Sequence, residues 1–344
     1  MNDYRDLAKY KKGMYKPEQE LLAEFAKSGK TKVYRVLSFG GGTQSSHLLE
    51  EHLKGNIQYD YIIFADTGAE PQFIHDQVEW WRKRMITKGC KTPFIITQHN
   101  SMQRGLEEML FRYMLTNYNR FQMPLFFKIP QDDGTLKNGG MMPRQCTGDF
   151  KIIPVQQESR RRIKTELGLK HTQQIPKNVG ILMDIGFSYD EVNRIGGWVS
   201  HQSKYIYLNY PLVEMGQTTK DSIELLTKSG FPDRRSRCYF CPFNCDKAKK
   251  DIGMDWDEII EHEPLSFLKA CYFDTQLRKV QSTGAKNMQA VPFFHYARVP
   301  LKEVYAEEYK EALQQCASEL KWWIAEWHAH IEKKYVANGE WYWI

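Results

Sequence analysis

Five short apolar runs, separated by helical patterns, constrain the fold of this chain more than any other feature. They are VYRVLSF (33–39), YDYIIFA (59–65), TPFIIT (92–97), NVGILMDIG (178–186) and KYIYLNY (204–210). Each is nearly continuous in Val, Ile, Tyr and Phe, the mark of a strand buried on both faces. Apolar strands alternating with helices predict a doubly wound, mostly parallel α/β sheet. At 344 residues with 42% hydrophobic content, the chain can bury one sizeable core and a smaller satellite. PEQELLAEFAKSG (17–29) reads as a short amphipathic helix that starts near Pro17 and stops at Gly29. Residues 99–145 break the rhythm with Met-, Phe- and Gly-rich sequence and are expected to be an insertion able to cover a site. From about 211 the strand signal ends and the remainder reads as helical, closing on the amphipathic pattern 301–335. Within that pattern the spacing of Trp322, Trp323 and Trp327 predicts core or interface. The expected organisation is a helical segment 1–30, an α/β domain 31–215 and a smaller helical domain 216–344.

The first strand runs into FGGGTQSS (39–46) and then into a helix pattern. Such a strand, glycine turn and helix start directs backbone N–H groups and the positive end of a helix dipole at one point, which suits a phosphate. It is not a Walker loop, because no Gly-Lys-Ser/Thr follows. A dinucleotide fingerprint would need a third glycine where Ser45 stands, although Asp66 at the end of the second strand imitates its ribose-binding acid. The plain alternative is a tight turn without a ligand.

The net charge of +6 suits an anionic ligand but does not identify nucleic acid by itself. No run of about 18 apolar residues occurs, and the first residues are charged throughout, so a cytoplasmic protein with no membrane partner is expected. Seven cysteines in that compartment argue for thiol chemistry or metal ligation over disulfides. Three of them form the compact set Cys238-x2-Cys241-x3-Cys245, whose spacing lets three thiolates converge on one metal ion or cluster. Cys90, Cys271 and Cys316 are isolated and read as free thiols.

Several motifs occur together: GGGTQS (40–45), FADTGAEPQ (64–72), CTGDFKIIPV (146–155), GFSYDEVNR (186–194), YPLVEM (210–215) and RCYFCPFNC (237–245). Their order and spacing resemble the phosphoadenosine-phosphosulfate reductase family, within the PP-loop ATP pyrophosphatase superfamily, over roughly residues 33–300. FFHYARVPLKEV (293–304) resembles a C-terminal signature of phage and bacterial members. The superfamily pattern SGGxxS aligns with Gly40 to Ser45, with Gly40 in place of the first serine and Gln44 where an Asp is common. The resemblance implies that ATP or a related adenine nucleotide, with Mg²⁺, is held by Ser38, Gly40, Gly41, Gly42, Thr43, Gln44 and Ser45 together with Asp66, Thr67 and Gly68. It implies catalytic roles for Asp66, Lys151 and Arg194, with Arg144 near the nucleotide. A turn at Asp66–Gly68, an Arg194 pair with Glu191 or Asp190, and a surface Lys151 are the corresponding structural readings. The family segment that aligns with Cys146 carries a Cys-Cys pair that ligates a 4Fe-4S cluster. Thr147 fills the second position here, so the implied ligand set is Cys146, Cys238, Cys241 and Cys245. Zinc satisfies the same set.

Sulfonucleotide reduction in the family uses a cysteine in a C-terminal Glu-Cys-Gly motif, and this chain has none. A PP-loop enzyme with a thiolate-bound centre is more similar to enzymes that adenylate an oxygen in DNA or tRNA and replace AMP by sulfur. The expected function is therefore an adenylating transferase acting with a sulfur donor, such as a donor protein, on DNA or tRNA. The alternatives are a sulfonucleotide reductase and a non-catalytic nucleotide sensor or assembly subunit. The basic runs RRRIK (160–164) and RRSR (234–237) can track a phosphate backbone or be solvated faces. A homo-oligomer is compatible with all of these.

Overall fold

The structure is a computed structural model that describes residues 13–232, 236–244, 256–284 and 286–342. In chain order its strands are β1 (Lys32–Phe39), β2 (Tyr61–Ala65), β3 (Phe94–Thr97), β4 (Phe126–Pro130), β5 (Leu136–Met141), β6 (Val179–Ile185), β7 (Ile206–Asn209) and β8 (Val291–Phe293). The chain forms two compact units that interleave in sequence. One unit takes the chain up to Ala65, Phe73–Thr97 and Ile152–Ser236; the other takes Asp66–Gln72, Gln98–Lys151 and the chain from Arg237 onward.

The first unit is α/β. Its five strands are all parallel, in the order β3-β2-β1-β6-β7. All five apolar runs of the sequence are strands, and alternate residues of each feed different cores. Leu37 and Phe39 join Leu48, Trp81 and Leu226 on one face, while Tyr34 and Val36 join Val155 and Ile163 on the other. Helices therefore cover both faces, as the continuous apolar character requires. The helix Glu18–Lys27 buries Leu21 and Phe25 against Leu182 and Tyr207, starting after Pro17 as the sequence indicates. Asp184 on β6 is fully buried and accepts from Arg35 Nε (3.0 Å), Tyr59 (2.9 Å) and Asn209 (2.9 Å). Arg35 also pairs with Glu18 at 2.6 Å, which ties that helix to the sheet.

The second unit contains a three-stranded antiparallel sheet, β5-β4-β8, and mostly helices otherwise. The segment 99–145 supplies helix Gly105–Leu115 and the β4–β5 hairpin to it. Strand β8 corrects the expectation that nothing after 211 is extended: three residues pair with β4, too short a run to signal a strand in sequence. Trp323 and Trp327 of the long helix Ala306–Lys334 are buried, whereas Trp322 on the same helix is 66% exposed and so is not part of the core. The helix is kinked at Cys316. Among the described residues, no helix is long and apolar enough to cross a membrane.

Candidate functional site

In the sheet order of the first unit, the chain moves outward from β1 through β2 to β3, then returns to the other side of β1 as β6. The carboxyl ends of β1 and β6 thus form the topological switch point, where open α/β sheets leave room for a ligand. The glycine turn sits there. Gly41 has φ +73°, and a Cβ on it would meet Ile74 Cγ2 and Phe64 Cε2, each at 3.2 Å. Gly186, just past β6, approaches the same turn so closely that a Cβ would stand 2.8 Å from Ser45 N.

The carbonyls of the turn are tied back. Gly41 O accepts from buried Gln77 Nε2 at 2.8 Å. Gly42 O accepts from Ser45 Oγ and from Ser46 N, both at 3.0 Å. Ser45 Oγ in turn accepts from Gly40 N at 3.1 Å. Helix Thr43–Leu53 follows with Gly42 as N-cap, so no side chain caps it. The first-turn amides of Gln44 and Ser45 have no carbonyl within the helix to bond. With carbonyls secured inward and the helix start uncapped, the turn is electropositive, which suits an anion.

Behind the turn a chain of polar side chains joins its neighbours. Gln44 Nε2 donates to Thr219 Oγ1 at 3.3 Å, Thr219 shares a 2.9 Å hydrogen bond with buried Ser188, and Asp190 accepts from Thr219 N at 2.9 Å. Burial pushes the Asp190 carboxyl up, but hydrogen bonds from Ser188 and Thr219 outweigh it and hold the group below the usual range. Arg194 pairs with Glu191 at 2.6 Å and lies 4.3 Å from the Phe187 ring, the helix-face alternative among the two expected for it. Ser38 is half-buried on β1, and Thr43 is buried in the first helical turn.

The second unit gathers the other residues. Asp66 follows β2 directly in sequence and closes a turn: its Oδ1 accepts from Gly68 N at 2.8 Å and its Oδ2 from Gln98 at 3.1 Å. Thr67 is buried and donates to Glu70 Oε1 at 2.7 Å, and its amide donates to Glu70 Oε2 at 2.9 Å. Lys151 stands 3.7 Å from the same buried carboxylate. Thr67 Oγ1 lies 3.7 Å from Cys238 Sγ. Tyr239 N donates to Ala69 O at 2.9 Å and Cys241 N to Cys238 O at 3.0 Å, so the Cys238–Cys241 turn is fastened beside the Asp66–Glu70 turn.

Cys146, Cys238 and Cys241 are near enough that their charges interact. Burial pushes the Cys238 thiol well up, and the Glu70 carboxylate adds to that. Burial also raises Cys146, with the Arg144 guanidinium pulling the other way. Arg144 also stacks 5.3 Å from the Phe243 ring. Cys245 lies outside the described residues. Among the described residues, no group of three or more His, Cys, Asp or Glu is arranged to hold a metal ion. The donor chemistry nonetheless suits a thiophilic centre: three thiols in one unit, with two cations beside them to offset thiolate charge.

Three participants escaped sequence reading. Glu70 sits inside a quoted motif, but its partner Lys151 is remote in sequence. Ser188 lies inside the quoted GFSYDEVNR motif and Thr219 in an unremarkable segment, and no local spacing announces that the two hydroxyls meet. Of the basic runs, Arg161 and Arg162 both pair with Glu158, and Lys164 donates to His171 O, so much of RRRIK is internally neutralised. Arg234 and Arg235 lie outside the described residues. No protein-family model, curated protein or solved structure matches this chain.

Proposed function

We propose that this protein binds an adenine nucleotide at Gly40–Ser45 and uses it to adenylate an oxygen of an acceptor in DNA or tRNA, after which a sulfur nucleophile displaces AMP. The observation that carries the reading is the glycine turn: carbonyls held by Gln77, Ser45 and Ser46, an uncapped helix start, and a place at the switch point of a parallel sheet. Acceptor–OH and ATP give acceptor–O–AMP, pyrophosphate and a proton; hydrosulfide or its carrier then bonds to the carbon or phosphorus that bears the activated oxygen as the bond from that atom to the oxygen breaks and AMP leaves. The turn's contribution is electrostatic, since its amides and helix dipole stabilise the charge that grows on the departing pyrophosphate. Mg²⁺ would supply further charge neutralisation. In the second unit, Cys146, Cys238 and Cys241, with Cys245, would hold a 4Fe-4S cluster or zinc, and Lys151 and Arg144 would temper the thiolate charge. The sulfonucleotide reductase alternative is disfavoured by Cys316, which sits in the body of helix Ala306–Lys334 and not on a free tail.

Gly40 provides the test. A Cβ there would meet only Ser45 Oγ, at 3.7 Å, and its φ lies outside the left-handed region, so Gly40→Val is expected to fold while adding bulk to the turn. Titration calorimetry with a non-hydrolysable ATP analogue is expected to show at least about a tenfold loss of affinity in Gly40→Val. Pyrophosphate release by the wild type should depend on an added oligonucleotide or tRNA. Equal affinity in the two proteins removes the nucleotide from this turn. Tight binding with no pyrophosphate release from any acceptor favours the sensor.

A further inference from the structure

The proposed function makes no use of FFHYARVPLKEV (293–304), yet one carboxylate fastens that segment to helix Pro264–Ser282. Asp274 of that helix is buried and accepts from Phe294 N and Leu301 N, both at 3.0 Å, and from Arg278 at 2.8 Å. The first two bonds hold the segment at two points seven residues apart, and so set the short helix Leu301–Val304 beside the last turns of the longer one. Between them lies a surface cleft of about 320 Å³ lined by Thr275, Arg278, Lys279, Ser282, Lys302 and Glu303, among others.

Three of those side chains are cations and one is an anion. Arg278 is held in place by Asp274 and by Pro292 O at 3.4 Å. Lys279 and Lys302 have no ion pair among the described residues, although Lys302 is half-buried and Glu303 is its neighbour in sequence. Asp274 offsets the guanidinium charge, and the two ammonium groups outnumber Glu303 at the cleft, so a bound anion is attracted there. The hydroxyl of Thr275 adds a neutral donor suited to a phosphate oxygen, while Ser282 donates its own to Lys279 O at 2.8 Å.

We propose that this cleft binds a phosphate group, with Lys279 and Lys302 as its principal charges and Arg278 fixing its floor. The inference does not rest on the nucleotide reading of the glycine turn. Two sources share this chemistry, the phosphodiester backbone of a nucleic acid and a free phosphate, and two probes separate them. The full-length protein is titrated with a fluorescein-labelled single-stranded oligodeoxynucleotide, read by anisotropy at two salt concentrations, and with inorganic phosphate, read by ³¹P NMR.

The double variant Lys279→Ala/Lys302→Ala is expected to weaken whichever probe binds by about tenfold or more. If the oligonucleotide is the ligand, the slope of log affinity against log salt falls by about one to two. Glu303→Gln is expected to tighten binding by a few-fold. Neither change touches Asp274, so thermal melting should stay at the wild-type midpoint. Loss of phosphate binding alone assigns a free phosphate, and loss of oligonucleotide binding with the slope change assigns a backbone. A wild type that binds neither probe, or a double variant that melts normally and binds both as tightly as the wild type, overturns the proposal.

Discussion

Gly40 and Gly41 are adjacent in the turn, yet a side chain means something different at each. At Gly40 there is space, and function is what a side chain would obstruct. At Gly41 the backbone is left-handed and two apolar groups close in at 3.2 Å. A β-branched residue there carries about 1–2 kcal/mol of backbone strain, and forcing Ile74 and Phe64 apart adds about 1–3 kcal/mol. Gly41→Val is therefore expected to lower unfolding stability by about 2–5 kcal/mol, read from the midpoint of urea denaturation. A Gly41→Val protein as stable as the wild type would show that the turn relaxes freely, and its carbonyl bonds to Gln77 and Ser45 could then not be what orders it. This contrast makes Gly40, and not the more conspicuous central glycine, the position at which ligand binding can be tested without disturbing the fold.

At the scale of elements, the second unit is stapled by acids on helix Gly105–Leu115. Glu107 accepts from Tyr239 (2.7 Å), Trp323 (3.0 Å) and Trp327 (2.9 Å), which explains the burial of those two indoles. Glu108 is buried and accepts from Lys334 (2.6 Å), Tyr335 (2.5 Å) and Arg104 N (2.9 Å). Burial pushes the Glu108 carboxyl up, but the bonds from Lys334 and Tyr335 outweigh it and hold the group below its usual range. A depressed carboxylate stabilises the fold fully above its unfolded value of about 4.3 and loses that contribution as pH falls through the lower folded value. Glu108→Gln is expected to cost about 1–3 kcal/mol near neutrality. The wild-type advantage should hold from pH 7 to about 5 and shrink below about pH 4 in denaturant titrations at each pH. An advantage that grew on acidification would reverse the assigned sign. These staples were invisible in sequence because, Arg104 N apart, each partner lies more than a hundred positions from its acid. The parallel sheet was legible for the opposite reason, since burial on both faces writes a continuous apolar run into every strand. Even there the amino ends were overrun: Tyr59 and Asp60 precede β2, and Asp60 spends its carboxylate on Arg35 N at 2.7 Å. The glycine turn and the cysteine spacing were legible because their chemistry is local. The Glu70–Lys151 and Gln44–Thr219 pairs were not, because each joins distant segments.

For the molecule as a whole, the proposed nucleotide turn and the thiol group belong to different units of one interleaved chain, so each ligand should leave its own trace. Hydrogen exchange read peptide by peptide can separate them, because a ligand that binds only the folded state slows the amides whose opening it opposes. At a hundredfold excess over Kd the added stability is about 2.7 kcal/mol, or about a hundredfold slower exchange for amides that open only when the ligand leaves. A non-hydrolysable ATP analogue is therefore expected to slow residues 40–46 and the 186–188 loop that packs on them. Anaerobic loading with iron and sulfide, or with zinc, is expected to slow 144–151 and 236–244, and Cys146→Ser should abolish that protection while Cys90→Ser leaves it intact. Slowing by the nucleotide elsewhere but not at 40–46 would relocate the first site. Indifference of 144–151 to metal, with 236–244 still protected, would remove Cys146 from the ligand set and leave the centre to the Cys238–Cys245 segment.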